Sequence, residues 1–379
     1  MHSLLTHPTA IQAILEGIFI CFIGFHASWF IGLCLILFLI GLVIARLFVL
    51  CFSSKTGPKP LHANPKTIFI TGGGSTAGIG FALAKEYVSH GAATIILTDI
   101  NESALSTAAS DLQTHHQAVL AQSQSKKSTP TISPTLTVVT QVVDVTDQAK
   151  MSQIMVHLDD IYSIDIVVAN AGIAPHNLSH LSFEEMTRKT HEINTTGVMN
   201  TIFPLKNVFR SRKSGSQFII ISSASSFFPL AGTAYPASKA WATQFGRTLR
   251  QELAFENVSV VTICPGFVDT PLLDKVSRDY TIWRITPQQL ARRVIVASQN
   301  DESLCVFPTW RWFALYHIFW TIGFKLMDYI AFQTKIREPC SDLLLDEVNS
   351  LHKEKLVIPN NVSGTIKNNS SANGQFKID

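Results

Sequence analysis

Thr67-Ile68-Phe69-Ile70-Thr71 runs directly into Gly72-Gly73-Gly74-Ser75-Thr76-Ala77-Gly78-Ile79-Gly80. The first five residues read as a buried strand, and residues 81–90 have the apolar spacing of a helix. Strand, glycine turn and helix in that order suit a pyrophosphate. Glycines let the backbone approach the phosphates, while free N–H groups and the positive dipole end at a helix start attract their charge. A glycine-rich turn alone also reads as a plain loop, so the following residues decide. A second strand, 94–98, ends at Asp99, about 20 residues beyond the turn, where a carboxylate can accept from ribose hydroxyls. No Arg or Lys lies in the turn or beside Asp99 to pair a 2′-phosphate, which favours NAD over NADP.

The alternation continues through the chain. A helix over 102–113 is followed by 115–134, rich in Gln, Ser, Thr and His, which reads as a surface insertion without regular structure. A strand over 136–143 ends in Asp144-Val145, a helix is expected over 147–158, and a strand over 164–169 runs into Asn170-Ala171-Gly172. Residues 181–203 read as one long helix containing Asn194; a buried Asn is by itself more often structural than catalytic. A strand over 217–221 delivers Ser222-Ser223, and a helix over 233–255 carries Tyr235-Pro236-Ala237-Ser238-Lys239. A strand over 258–264 is closed by Pro265-Gly266-Phe267-Val268-Asp269-Thr270, and a helix over 287–298 and a strand over 304–307 complete the series. Such alternation implies an α/β fold, a Rossmann-like doubly wound parallel sheet with ligands at the carboxyl ends of its strands. On a helix, Tyr235 and Lys239 share a face. An ammonium beside a phenol favours phenolate, so Lys239 is expected to lower the Tyr235 pKa toward working pH.

Composition narrows the partners. The net charge of +3 is mild and no dense basic stripe occurs, which argues against nucleic acid. The six cysteines lie far apart with no Cys-x-x-Cys pair, so they suggest neither a disulfide framework nor a metal site, and they fit a reducing compartment. Residues 11–52 are almost unbroken Ile, Leu, Phe, Val, Cys and Gly, enough for one tilted span or a short pair. A cleaved signal peptide would want a basic start, and no Lys or Arg precedes Arg46. We therefore expect a transmembrane anchor over 1–52 and a Gly- and Pro-containing linker over 53–65. Arg46, Lys55, Lys59 and Lys66 follow the apolar core, which orients the remainder toward the cytosol. Residues 310–335 mix Trp and Tyr with charge and suit a membrane-interface helix, and 341–379 form a polar tail expected to be disordered.

In order and spacing, residues 66–309 resemble the short-chain dehydrogenase/reductase family. The resemblance implies that Tyr235 acts as general acid or base and that Lys239 tunes it and holds the nicotinamide ribose. It further implies that Ser223 stabilises charge on the substrate oxygen and that Asn194 positions a water. The implied cofactor contacts are Gly72, Gly74, Ser75, Gly78, Ile79 and Gly80 in the turn, and Asp99, Asp144, Val145, Asn170, Ala171 and Gly172 on the following strand ends. Tyr235, Lys239, Pro265, Gly266, Val268 and Thr270 complete the set. Two departures bear on these roles. Five residues separate Gly72 from Gly78 where the family has three, so either the loop is longer or Gly73-Gly74 takes the place of Thr-Gly; the strand before Gly72 favours the longer loop. By count the catalytic serine is Ser222, thirteen before the tyrosine, but in a pair it is the second, which favours Ser223 with a shortened loop.

Phe227, Phe228, Pro229 and Leu230, with Phe267, Pro271, Leu272 and Leu273, would then rim an apolar pocket. The expected activity is alcohol–ketone or alcohol–aldehyde interconversion on a lipid-like substrate such as a steroid, retinoid or long-chain alcohol. It would be carried out at the endoplasmic reticulum membrane, facing the cytosol, by a chain able to form a homodimer. The rivals are a 3-ketosphinganine-type reductase using NADPH and a catalytically idle nucleotide-binding scaffold.

Overall fold

The computed structural model describes residues 67–125, 132–227, 234–273 and 284–308, together with the isolated helical positions 33, 40 and 41. Two compact units divide the chain, Met1–Gly57 and Pro58–Asp379, and the elements described below belong to the second. Apart from those three positions, the apolar segment 11–52 lies outside the described residues, as do the linker 53–65, the segment 310–335 and the tail 341–379. Among the described residues no helix is long and apolar enough to cross a membrane.

Runs of β-branched and apolar residues form seven strands: β1 (Thr67–Thr71), β2 (Thr94–Asp99), β3 (Thr137–Val142), β4 (Ile166–Ala169), β5 (Ser216–Ile221), β6 (Val258–Pro265) and β7 (Leu304–Phe307). Every residue of β4, β5 and β6 is buried, the signature of a parallel sheet covered on both faces. All pairings are parallel, in the order β3-β2-β1-β4-β5-β6-β7. The order reverses between β1 and β4, and such a switch point opens a crevice at the carboxyl ends of the strands.

Helices α1 (Ile79–Ser89), α2 (Glu102–Ser125), α3 (Gln148–Tyr162), α4 (Phe183–His191), α5 (Gly197–Ser211), α6 (Ala234–Glu252) and α7 (Pro287–Gln299) flank the sheet. Local signals set their ends. Asp147 caps α3 by accepting from the Lys150 N–H at 3.0 Å, and reciprocal Ser182–Glu185 and Thr286–Gln289 boxes start α4 and α7. One core layer joins Leu83, Leu105, Ile70, Ile95, Ile263 and Leu290, and the other joins Phe69, Met151, Phe209, Phe218 and Val260. In the second layer Phe209 of α5 stacks on Phe218 of β5, centroids 4.7 Å apart, which fixes α5 against the strand leading to Ser222.

Two expectations need correction. The polar segment 115–134 is not irregular throughout, because α2 continues to Ser125. Its histidines hold it there: His115 Nε2 lies 3.0 Å from Ser89 Oγ, and the buried His116 Nε2 meets the Ser133 carbonyl at 2.9 Å. The single helix expected over 181–203 is broken into α4 and α5 by a π turn at Glu192–Thr196. Asn194 accounts for the break, since its side chain bonds to the Ile173 backbone rather than following the helix surface.

Phe209→Ala should lower unfolding free energy by about 3–5 kcal/mol, measured by urea denaturation. A loss below about 1 kcal/mol would show that the stack does not support β5.

Candidate active site

Gly72 follows β1 at φ 66°, a left-handed conformation, and a Cβ there would stand 2.9 Å from Ala171 Cα. Gly80, in the first turn of α1, lies so close to the Gly72 carbonyl that a Cβ would meet its oxygen at 2.6 Å. These two contacts seat the helix start directly against the end of β1. Gly73 to Ala77 therefore form the longer loop, with Gly72 in first position. Gly78 caps α1 without any side-chain hydrogen bond, and the first turn holds no acidic residue, so N–H groups there are left for an anion.

Asp99 shapes the neighbouring cleft. One carboxylate oxygen accepts the Gly74 N–H at 3.0 Å, and the other accepts the Asn101 N–H at 3.2 Å. Gly74, Ser75, Thr76, Asp99, Asn101, Ala104 and Thr107 line an open cleft of about 410 Å³ that contains no Lys or Arg. An uncapped helix start, a glycine approach too tight for any Cβ and a carboxylate in the cleft fit a dinucleotide, the carboxylate suiting ribose hydroxyls. Asp144, exposed, accepts from the Thr146 N–H at 2.9 Å and hydroxyl at 2.8 Å, which stiffens the turn after β3. Val145 is buried, and Asn200 donates to its carbonyl at 2.9 Å.

The segment 170–172 joins two halves of the site. Asn170 Nδ2 donates to the Thr71 and Gly72 carbonyls at 2.9 and 3.1 Å. The Asn170 and Ala171 N–H groups both donate to Thr71 Oγ1 at 3.1 Å. Two residues on, a Cβ at Gly172 would stand 3.1 Å from Asn194 Oδ1 and 3.2 Å from Lys239 Nζ. Asn194 is fully buried: Oδ1 accepts the Ile173 N–H at 2.9 Å, while Nδ2 donates to the Ile173 carbonyl and to Ser238 Oγ, both at 3.0 Å. Its side-chain hydrogen bonds thus tie the loop after β4 to α6.

Tyr235 and Lys239 project from the first turns of α6, with Lys239 Nζ 5.8 Å from the Tyr235 ring centroid. Burial pushes the Tyr235 phenol up to about 12, opposed by its hydrogen bond to Ser223. Burial also pulls the Lys239 amine down to about 8. The phenol is thus raised, where the ammonium neighbour led us to expect a lowering. Desolvation disfavours both charged forms, and Lys239 donates to the Ile221 carbonyl at 3.1 Å. The two serines diverge. Ser222 is buried and donates to the Lys239 carbonyl at 2.7 Å, whereas Ser223 faces Tyr235 and accepts from the Ser225 N–H and hydroxyl.

Pro265 ends β6, and the Gly266 N–H donates to the Phe307 carbonyl at 2.8 Å, which joins this turn to β7. Val268 bridges to Ile285, and Thr270 Oγ1 donates to the Val268 carbonyl at 3.3 Å. Residues 228–230 of the expected apolar rim lie outside the described residues, while Leu272 and Leu273 are half-buried. The Leu272 carbonyl is bonded by His176 Nε2 from the loop after β4. The sequence reading missed His176, Asn200 and Thr71. A lone loop His or helical Asn carries no pattern, although Thr at the end of a buried strand was a visible cue.

The short chain dehydrogenase model matches residues 66–281. A 3-oxoacyl-acyl-carrier-protein reductase FabG from Chlamydia muridarum is 29% identical over 252 residues, 63% of this chain and 92% of that protein. A 2,3-dihydro-2,3-dihydroxybenzoate dehydrogenase from Bacillus subtilis is 30% identical over 208 residues, 55% of this chain and 71% of that protein. Among solved structures, a 3-oxoacyl-acyl-carrier-protein reductase with bound NAD from Brucella melitensis shares the fold. It has a TM-score of 0.51 and 23% identity, over 66% of this chain and 91% of that one. The match covers more than half of the chain, and the chain belongs to the short-chain dehydrogenase family as an oxidoreductase acting on CH–OH groups.

Proposed function

We propose that this chain is an NAD-dependent oxidoreductase that interconverts an alcohol and a ketone or aldehyde on an apolar, lipid-like substrate at a membrane. The observation that carries the reading is the Tyr235–Lys239 pair, with the buried Lys239 Nζ 5.8 Å from the Tyr235 ring and Ser223 opposing the rise of the phenol pKa. In carbonyl reduction the Tyr235 Oη–H gives its proton to the substrate oxygen, and in oxidation the phenolate takes the hydroxyl proton. Ser223 Oγ supplies a hydrogen bond to the same oxygen as charge develops there. Lys239 holds positive charge near the phenol and donates to a ribose hydroxyl, and Asn194 keeps the 173 loop against α6 beneath them. When bound, a nicotinamide cofactor would supply or accept the hydride.

Asp99 supports NAD. With no Lys or Arg lining its cleft, a carboxylate there repels a 2′-phosphate. The apolar run 11–52 and the aromatic segment 310–335 support membrane attachment, with the endoplasmic reticulum, the catalytic domain toward the cytosol, as the proposed site. Relatives named for 3-oxoacyl and acetoacetyl thioesters favour a second reading of the substrate, a ketone at the 3-position of an acyl chain. An idle scaffold would have no need of the complete Ser–Tyr–Lys grouping.

Membranes from cells expressing the full chain, washed with alkaline carbonate, should oxidise members of a panel of steroid, retinoid and long-chain alcohols with NAD. Tyr235→Phe should lower that rate at least about a hundredfold, the scale of general acid–base catalysis, and leave NADH binding intact. Undiminished turnover in the variant would remove Tyr235 from the mechanism, activity only on 3-oxoacyl thioesters would favour the second reading, and activity released by the wash would remove the anchor. In fluorescence titration NADH should bind at least about tenfold tighter than NADPH, a preference that Asp99→Ala narrows. Equal affinities in the wild type would contradict the role given to Asp99.

A further inference from the structure

Behind the serine pair lies a set of buried hydroxyl and thiol groups that the proton-transfer chemistry does not use. Ser222 Oγ is 2.7 Å from the Lys239 carbonyl and 2.7 Å from Thr243 Oγ1. Thr243 Oγ1 is 3.4 Å from Cys264 Sγ, and Ser226 Oγ is 3.9 Å from the same sulfur. Ser222, Thr243 and Cys264 are 3%, 5% and 0% exposed, so water does not complete their bonding.

The acceptors set the directions of the first two bonds. A carbonyl only accepts, so at 2.7 Å the single Ser222 proton points to the Lys239 oxygen. Two lone pairs at 2.7 Å would repel, so the Thr243 proton points to Ser222 Oγ. That leaves Thr243 as acceptor for the thiol proton of Cys264 at 3.4 Å. Burial raises the thiol pKa and keeps that proton in place.

We propose that Cys264, Thr243 and Ser222 form a directed hydrogen-bond chain that ties the end of β6 to the serine turn and the Lys239 backbone, making Cys264 and Thr243 positioning residues for the site. Cys264 sits on β6 next to β5, and Thr243 sits one helical turn beyond Lys239 on α6. The chain thereby links β6 to the serine turn after β5 and to α6, which holds the candidate tyrosine and lysine. It also explains the serine pair, Ser222 anchoring from below while Ser223 faces Tyr235. The consequence for turnover rests on the dehydrogenase reading above, whereas the chain itself belongs to the ligand-free protein and is tested there.

The S–H stretching band of Cys264, isolated by subtracting the infrared spectrum of Cys264→Ala, reports donation by the thiol. It should move to higher frequency in Thr243→Val and stay in place in Thr243→Ser, which keeps the hydroxyl. Competitive acetylation read by mass spectrometry should show the Lys239 titration midpoint rising by about half a unit in Thr243→Val and unchanged in Thr243→Ser. An unmoved thiol band in Thr243→Val would overturn the chain. A band that moves while Lys239 titrates as in the wild type would overturn the positioning role and reduce the chain to local packing. Neither readout needs a substrate or nucleotide, so loss of the dehydrogenase reading would leave both results decisive.

Discussion

Everything at the site depends on how the end of β1 is fastened to the end of β4. Thr71 and Asn170 make that joint with four hydrogen bonds: Asn170 Nδ2 to the Thr71 and Gly72 carbonyls, and two backbone N–H groups to Thr71 Oγ1. The joint lies where the strand order reverses, so it sets the floor of the crevice. On one side it aligns Gly72 with the start of α1, and on the other it delivers Gly172 to within contact of Asn194 and Lys239. The cofactor cleft and the proton-transfer groups are thus indexed to one backbone segment rather than to each other through mobile side chains.

Burial is the second determinant. Tyr235 is pushed up to about 12 and Lys239 pulled down to about 8, in both cases mainly because a charge there loses its water. A neutral phenol is the form that donates a proton, which suits carbonyl reduction. For oxidation the phenol must ionise, which requires additional positive charge or hydrogen bonding around it. Ser223 already opposes the burial effect, and Lys239 can add to it while it remains protonated.

Much of this was legible in the residues. Strand and helix periodicity located all seven strands within one or two residues, because buried parallel strands are continuous apolar runs. The glycine turn and Asp99 follow neighbouring strands, and Lys239 stands beside the Tyr235 ring, as strand ends and helical spacing predict. Asn194 was visible as a residue but not as a geometry, since a π turn arises from contacts with Ile173 and Ser238 that no local pattern encodes. The helical continuation through His115 and His116 was hidden for the same reason: their partners, Ser89 and Ser133, are distant in sequence. The net direction of the Tyr235 shift was misread because a one-dimensional pattern shows the neighbouring charge but not the burial that opposes it.

The central claim, that Tyr235 transfers the proton beside a buried Lys239, is tested most directly by the pH dependence of kcat/KM in both directions on one alcohol–carbonyl pair. With the phenol at about 12 in the ligand-free protein, alcohol oxidation should rise with pH across the neutral range, and carbonyl reduction should hold there and fall as the phenol ionises. Profiles that are flat in both directions, or that Tyr235→Phe leaves unchanged, would contradict it.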